Sequence, residues 1–246
     1  MRMAGETIKT EAICLDIRPW SRTSHVVSWL TPNGKVTTVV KGAVRPKSIF
    51  LGQYDLNYTC EILYYARAKG ELHALRECVP VELREELRGD YRKLALAGYF
   101  RRLVAELAPM GEECRAWYGA LRRGIDFCAS LTSGQETVSP IGMMLGFELE
   151  VLRLSGLKPD FSDYDRGADW SAFSVETGTF DATKGRRIRI SRDVAEYLAN
   201  GAKNAKNPQT PLDAARVIGV FYQFHLDCAS DVRRTVLEMI SLQKEG

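Results

Sequence analysis

Basic side chains that could bind phosphate are concentrated in the amino-terminal part of the chain. Between Asp16 and Asp55 lie 38 residues with no acidic side chain. This window contains six cationic residues: Arg18, Arg22, Lys35, Lys41, Arg45 and Lys47. Neutral surfaces mix both signs of charge, whereas a patch of one sign is typical of a site for a polyanion. The pattern therefore predicts contacts with a phosphodiester backbone, and a solvated loop that serves only solubility is the alternative.

Aromatic side chains alternate with these cations. They are Trp20, Trp29, Phe50 and Tyr54. A base stacked on an aromatic ring gains roughly 1–3 kcal/mol with little regard for base identity. We therefore add Trp20 and Tyr54 to the six cations as predicted DNA-binding residues. Trp29 lies in a strand-like segment and suits a protein core at least as well as a stacking platform.

Residues that could make or break bonds show no recognisable arrangement. The three histidines, His25, His73 and His225, are not spaced as metal ligands. Hydrolase, phosphate-loop and dinucleotide-binding motifs are missing, and the carboxylate pairs Glu85/Glu86 and Glu112/Glu113 each point to two sides of a helix. The six cysteines contain no CxxC pair, which favours free thiols in a reducing compartment. We predict a protein that is not an enzyme and has no cofactor and no metal.

The elements that must position the basic residues begin with five strand-like segments. They cover residues 7–17, 24–31, 35–42, 55–66 and 70–79. Asn33 and Gly34 separate the second from the third and form a strong hairpin signal. A longer connection separates the third from the fourth. Five short antiparallel strands favour a small closed barrel of the OB type, with an SH3-like barrel as the alternative.

After Pro80 the hydrophobic period changes from that of strands to that of helices. Predicted helical segments cover residues 81–107 with a break near Gly89, 112–131, 139–156, 192–201 and 211–243. The third begins with Ser139 as N-cap. The predicted fold is an α+β multidomain protein: an OB-fold nucleic-acid-binding domain at 1–80, then an all-helical domain at 81–246 with an irregular insert at 157–190.

No apolar run reaches the roughly 18 residues that a membrane-spanning helix needs, and the first residues lack the apolar stretch of a signal peptide. We therefore expect a cytoplasmic, nucleoid-associated protein with no membrane partner.

Two segments resemble the RecO family of bacterial recombination mediators. The first is RPWSRTSHVVSWLTPNGKVTTVVKGAVRPKS at residues 18–48, which carries the family's Gly turn and its strand running into Lys41-Gly42 and Lys47-Ser48. The second is GFELEVLRLSGLKPDF at residues 146–161. Both occur in the family's order, and the order of barrel, helices and insert extends the resemblance over nearly the whole chain.

The resemblance also shows departures. Many members carry a four-cysteine zinc site after the second segment. Here Asp163, Arg166, Asp181 and Lys184 stand about where those cysteines would be. Without thiolates we expect no structural zinc, and we expect polar and backbone contacts to hold the insert. Arg22 replaces the family's usual acidic residue, which makes the loop more basic than is typical.

The resemblance implies binding to single- and double-stranded DNA and annealing of complementary strands. It also implies joint action with RecR and contact with the acidic C-terminal tail of the single-strand binding protein SSB. Through these partners the protein would help to load the recombinase RecA onto SSB-coated DNA. An acidic tail would suit an apolar groove with a cation at its rim. Candidate rim residues on the helices are Arg122, Arg123, Arg233 and Arg234, although ordinary solvated helix faces are the favoured explanation for them.

Three other functional classes stay open at this point. An RNA-binding OB-fold factor in ribosome assembly or translation would use the same cations and aromatics. An enzyme with an unrecognised site would show turnover. A protein-binding scaffold would have no affinity for nucleic acid even at low salt.

Overall fold

The computed structural model describes residues 6–67, 70–110, 114–131, 139–180, 185–226 and 230–241. The chain divides into two compact units, residues 1–130 and 131–246. No helix in these described ranges is long and apolar enough to cross a bilayer.

Five strands form a closed barrel in the first unit. They are β1 (Thr7–Ser21), β2 (Ser24–Thr31), β3 (Gly34–Val40), β4 (Thr59–Tyr65) and β5 (Leu72–Glu82). The strand order is β1-β2-β3-β5-β4, and β1 closes the barrel by pairing with both β2 and β4. All neighbours are antiparallel except β3 and β5. Closure removes the exposed sheet edges that would otherwise recruit other strands. The predicted OB-type barrel is confirmed.

The turn between β2 and β3 lies one residue earlier than the sequence signal suggests. Thr31 and Gly34 are the last paired residues, so Pro32 and Asn33 form the turn. The Thr31 hydroxyl accepts a hydrogen bond from the Asn33 backbone N–H at 3.1 Å and donates to the Gly34 carbonyl oxygen at 2.9 Å. This side chain therefore satisfies the turn's polar groups.

The barrel interior contains Trp29 and three cysteines. Trp29 is fully buried, and its indole N–H donates to the Thr38 hydroxyl at 2.9 Å, so this tryptophan belongs to the core. The thiols of Cys60 and Cys78 both donate to the Gln53 carbonyl oxygen at 3.5 Å. Hydrogen bonding to Cys78 and burial raise the pKa of Cys60, and burial raises the pKa of Cys14, so both thiols stay protonated. All five cysteines in the described residues are free and buried: Cys14, Cys60, Cys78, Cys114 and Cys128.

The first unit ends with a 3-10 helix and two α-helices. They span Glu85–Gly89, Tyr91–Leu107 (α1) and Cys114–Ser130 (α2). The predicted break near Gly89 is confirmed. The predicted helix start at residue 81 is wrong, because β5 continues to Glu82, which pairs with Thr59.

Arg84 joins the barrel to the helices of this unit. Its side chain is almost fully buried and donates to the Asn57 carbonyl oxygen, to Glu82 and to Asp126, at 2.7, 2.6 and 2.7 Å. A buried guanidinium needs such partners to offset the cost of leaving water.

The second unit combines four α-helices with a two-stranded sheet. Its elements are α3 (Pro140–Leu154), β6 (Trp170–Ser174), β7 (Arg187–Ser191), α4 (Arg192–Ala199), α5 (Thr210–His225) and α6 (Ser230–Ser241). The Ser139 hydroxyl accepts from the Gly142 N–H at 3.1 Å, which confirms the predicted N-cap. The predicted helix over 211–243 is instead two helices. The insert is not wholly irregular, because β6 and β7 pair antiparallel within it.

Candidate nucleic-acid interface

Four exposed cations lie at one rim of the barrel. Arg22 occupies the turn between β1 and β2, Lys41 directly follows β3, and Arg45 and Lys47 lie in the connection from β3 to β4. No carboxylate of the described residues lies within ion-pair distance of any of the four, and we call them the basic rim. Their charge therefore faces solvent without local neutralisation and is available to a polyanion.

Two hydrogen bonds hold the β3–β4 connection against the turn between β1 and β2. The Gly42 N–H donates to the Ser24 hydroxyl at 3.2 Å, and the Val44 N–H donates to the Thr23 carbonyl oxygen at 3.4 Å. Ser24 lies within residues 18–48, the first segment that carries the family resemblance. Its side-chain role was not predicted, because the contact joins residues 18 positions apart.

Gly42 sets the position of Arg45. The glycine has φ +68°, in the left-handed region that other residues rarely adopt. A Cβ atom on Gly42 would lie 3.3 Å from Cδ of Arg45, so the arginine stem packs directly over the glycine. The Arg45 N–H donates to the Gly42 carbonyl oxygen at 3.1 Å, which completes the turn.

The turn and the connection enclose a cleft of about 470 Å³, which we call the barrel-rim cleft. Its lining residues are Trp20, Ser21, Thr23, Ser24, Val39, Lys41, Gly42 and Arg45. It therefore combines an aromatic ring, an apolar side chain, three hydroxyls and two cations in one concave surface.

The two predicted stacking residues differ in their surroundings. Trp20 is 62% exposed and lines the barrel-rim cleft. Tyr54 is half-buried: its ring lies edge-on to Trp29, with centroids 6.0 Å apart, and its hydroxyl lies 2.9 Å from Nδ1 of His25. Burial raises the pKa of Tyr54. The ring thus packs against the barrel core, and only Trp20 offers an open face to a base.

The remaining two predicted cations have partners within the protein. Arg18 pairs with Asp16 at 2.5 Å, although both are partly exposed to solvent. The Lys35 ammonium donates to the Ala105 carbonyl oxygen of α1 at 3.2 Å. Neither residue lines the barrel-rim cleft.

The four arginines predicted to contact a protein partner divide into two kinds. Arg122 donates to Glu11 and Glu82 at 3.1 and 2.5 Å, which ties α2 to the barrel. Arg233 pairs with the fully buried Glu148 at 2.8 and 3.1 Å and also donates to the Ala215 carbonyl oxygen. Arg123 and Arg234 are exposed, and Arg234 lies 3.8 Å from Asp231.

The described residues of the insert include no group of zinc ligands. Asp163 and Arg166 are exposed, Asp181 and Lys184 lie outside the described residues, and a guanidinium is not a zinc ligand. No group of three or more His, Cys, Asp or Glu side chains in the described ranges could hold a metal ion.

Aromatic packing holds the insert in addition to the polar and backbone contacts expected from the sequence. Phe173 is the centre: its ring stacks on Phe161 at 4.8 Å and lies 5.3 Å from Phe180 and 6.3 Å from Phe221 of α5. Backbone contacts such as Asp160 N–H to the Gly178 carbonyl oxygen, 2.7 Å, add to this packing. An aromatic cluster of this kind can therefore hold the insert in place.

Comparison with known proteins agrees with the resemblance seen in the sequence. Residues 2–84 match the family described as Recombination protein O N terminal, and residues 88–230 match Recombination protein O C terminal. The DNA repair protein RecO of Alkaliphilus metalliredigens (strain QYMF) is 29% identical over 154 residues, which are 62% of this chain and 59% of that protein.

Two further relatives carry the same description. The protein of Moorella thermoacetica is 27% identical over 152 residues, 61% of this chain and 54% of the relative. That of Roseiflexus sp. (strain RS-1) is 26% identical over 184 residues, 74% of this chain and 61% of the relative. The matched part of the chain thus spans 54–61% of the length of these relatives.

Proposed function

The chain belongs to the Recombination protein O family, and from this premise we propose that it is a DNA repair and recombination mediator that binds single- and double-stranded DNA. The basic rim is the observation that carries this proposal. Arg22, Lys41, Arg45 and Lys47 are exposed, free of acidic partners in the described chain, and grouped at one end of an OB-type barrel. Residues 1–80 are the proposed DNA-binding domain, and residues 81–246 are the proposed helical domain.

Contacts of this kind suit the annealing of complementary strands. Two single strands repel each other through their phosphates, and bound cations replace released counterions while they screen that repulsion. Phosphate contacts leave the base edges free to pair. Annealing on this surface needs no bond-making residue.

We further propose that the protein helps to load RecA onto SSB-coated DNA together with RecR. It would do so in the cytoplasm, at the nucleoid. Arg123 of the first unit and Arg234 of the second are alternative proposed contacts for the acidic tail of SSB, because each is exposed. Arg122 and Arg233 are not proposed as contacts, because their guanidinium groups already bind carboxylates.

A titration of fluorescent single-stranded DNA with protein tests the proposal. The triple variant Lys41→Glu, Arg45→Glu, Lys47→Glu should lose binding while its thermal stability stays near that of the unchanged protein. The matched control is Arg115→Glu, Lys158→Glu, Lys203→Glu, which reverses the same number of exposed charges outside the cleft and should retain binding.

Undiminished binding by the first triple variant would place the DNA site elsewhere. Competition with RNA of equal length tests the RNA-binding alternative, since a strong preference for RNA would contradict a DNA repair role.

A further inference from the structure

The barrel-rim cleft is an open depression whose walls are fixed to each other. Its two walls are fastened by the Gly42–Ser24 and Val44–Thr23 hydrogen bonds. Val39, at 5% exposure, belongs to the barrel core and also lines the cleft. A site held in this way loses little conformational entropy when a ligand enters.

The chemistry of the cleft matches the parts of one nucleotide. Trp20 and Val39 provide aromatic and apolar contact for a base. Lys41 and Arg45 provide charge for its phosphate, and the hydroxyls of Ser21 and Thr23 can hydrogen-bond to sugar or base. The volume, about 470 Å³, falls within the range of roughly 300–1,000 Å³ typical of small-ligand pockets.

We infer that the barrel-rim cleft holds a single unpaired base of a DNA strand against Trp20, and that this contact gives the protein a preference for single strands over duplex. The inference rests on the proposed function, because it assigns a subsite within the same basic surface. A base inside a duplex is stacked on both faces and paired at its edge, so it cannot enter the cleft without being extruded. Duplex DNA therefore meets only the phosphate-binding cations of the rim.

Three fluorescent probes of equal strand length test the inference. They are a thymidine oligonucleotide of about 20 residues, an oligomer of the same length whose sugars carry no bases, and a duplex. The unchanged protein should bind the thymidine strand about 5- to 150-fold more tightly than the abasic strand, the range expected for stacking of one base. Trp20→Ala should remove most of that ratio and leave duplex affinity unchanged. Trp20→Phe should keep part of it.

Trp170→Ala is the matched control, because Trp170 is also more than half exposed but lies outside the cleft. It should change none of the three affinities. The inference is overturned if Trp20→Ala leaves the thymidine-to-abasic ratio intact, or if it weakens all three probes equally. The proposed function fails in a different way, through retained binding by the Lys41, Arg45 and Lys47 triple variant.

Discussion

The Gly42 N–H donates to the Ser24 hydroxyl oxygen at 3.2 Å, and this contact joins the two segments that carry the basic rim. Arg22 lies on one side of it and Lys41 and Arg45 on the other. The distance between Arg22 and the two cations Lys41 and Arg45 therefore depends on this hydrogen bond.

Gly42→Ala should weaken DNA binding. The substitution places a Cβ in the left-handed region, at a cost of about 1–2 kcal/mol, and crowds the Arg45 stem at 3.3 Å. Gly52→Ala is the matched control, because Gly52 also has positive φ, +75°, but has no atom within 4 Å of the added Cβ. Both variants should lose similar stability in urea unfolding, and only Gly42→Ala should lose affinity for DNA. Equal loss of affinity in both would contradict the role given to Arg45.

Affinity for single-stranded DNA should fall linearly on a plot of log affinity against log salt. Four rim contacts predict a slope of about −3, since each phosphate contact on a single strand contributes about −0.7. Lys41→Gln or Lys47→Gln should each make the slope shallower by about 0.7. Lys9→Gln, at an exposed position on β1, should leave the slope unchanged. A flat response of the unchanged protein would argue against backbone contacts.

Arg233→Met should destabilise the second unit by about 3–5 kcal/mol, because it removes the guanidinium that pairs with the fully buried carboxylate of Glu148. Arg234→Met is the matched control on the same helix, and it should leave the urea midpoint unchanged because its ion pair is exposed and 3.8 Å long. Adding Glu148→Leu to Arg233→Met should restore part of the lost stability. If the double variant is less stable than Arg233→Met, the cost does not come from an uncompensated charge.

Purified protein should contain no stoichiometric zinc by plasma mass spectrometry. Asp163 and Arg166 cannot replace a pair of thiolates, and the Phe173 cluster packs the insert without a metal. A zinc chelator should accordingly leave the thermal midpoint unchanged. One tightly bound zinc ion per chain would show that ligands exist outside the described residues.

The barrel could be predicted because its signals are local. Five strand-like segments, two of them on either side of Asn33-Gly34, sufficed for the strand count and the order of elements. Local signals placed the helix start wrongly near Pro80, because the helix-like spacing of apolar residues begins before β5 ends. Barrel pairing with Thr59 keeps Glu82 extended, and no local pattern reports a partner 23 positions away in the chain.

The exposure of Trp20 could not be read from alternation along β1. β1 contains register irregularities between Cys14 and Asp16 and between Pro19 and Ser21. Each extra residue reverses which face the following side chains occupy, so counting along the strand from the core does not give the exposure of Trp20. The pairing of Arg233 with Glu148 was equally hidden, because the two residues are 85 positions apart.

The free thiols of the first unit offer a direct readout of its opening. Cys14, Cys60 and Cys78 lie in the core of the closed barrel, and Cys114 and Cys128 lie on the buried face of α2. An alkylating reagent can therefore reach these thiols only in molecules whose packing has transiently opened. The labelling rate of each cysteine then reports the opening of the barrel and of α2 separately, and no dye or engineered probe has to be added to the chain.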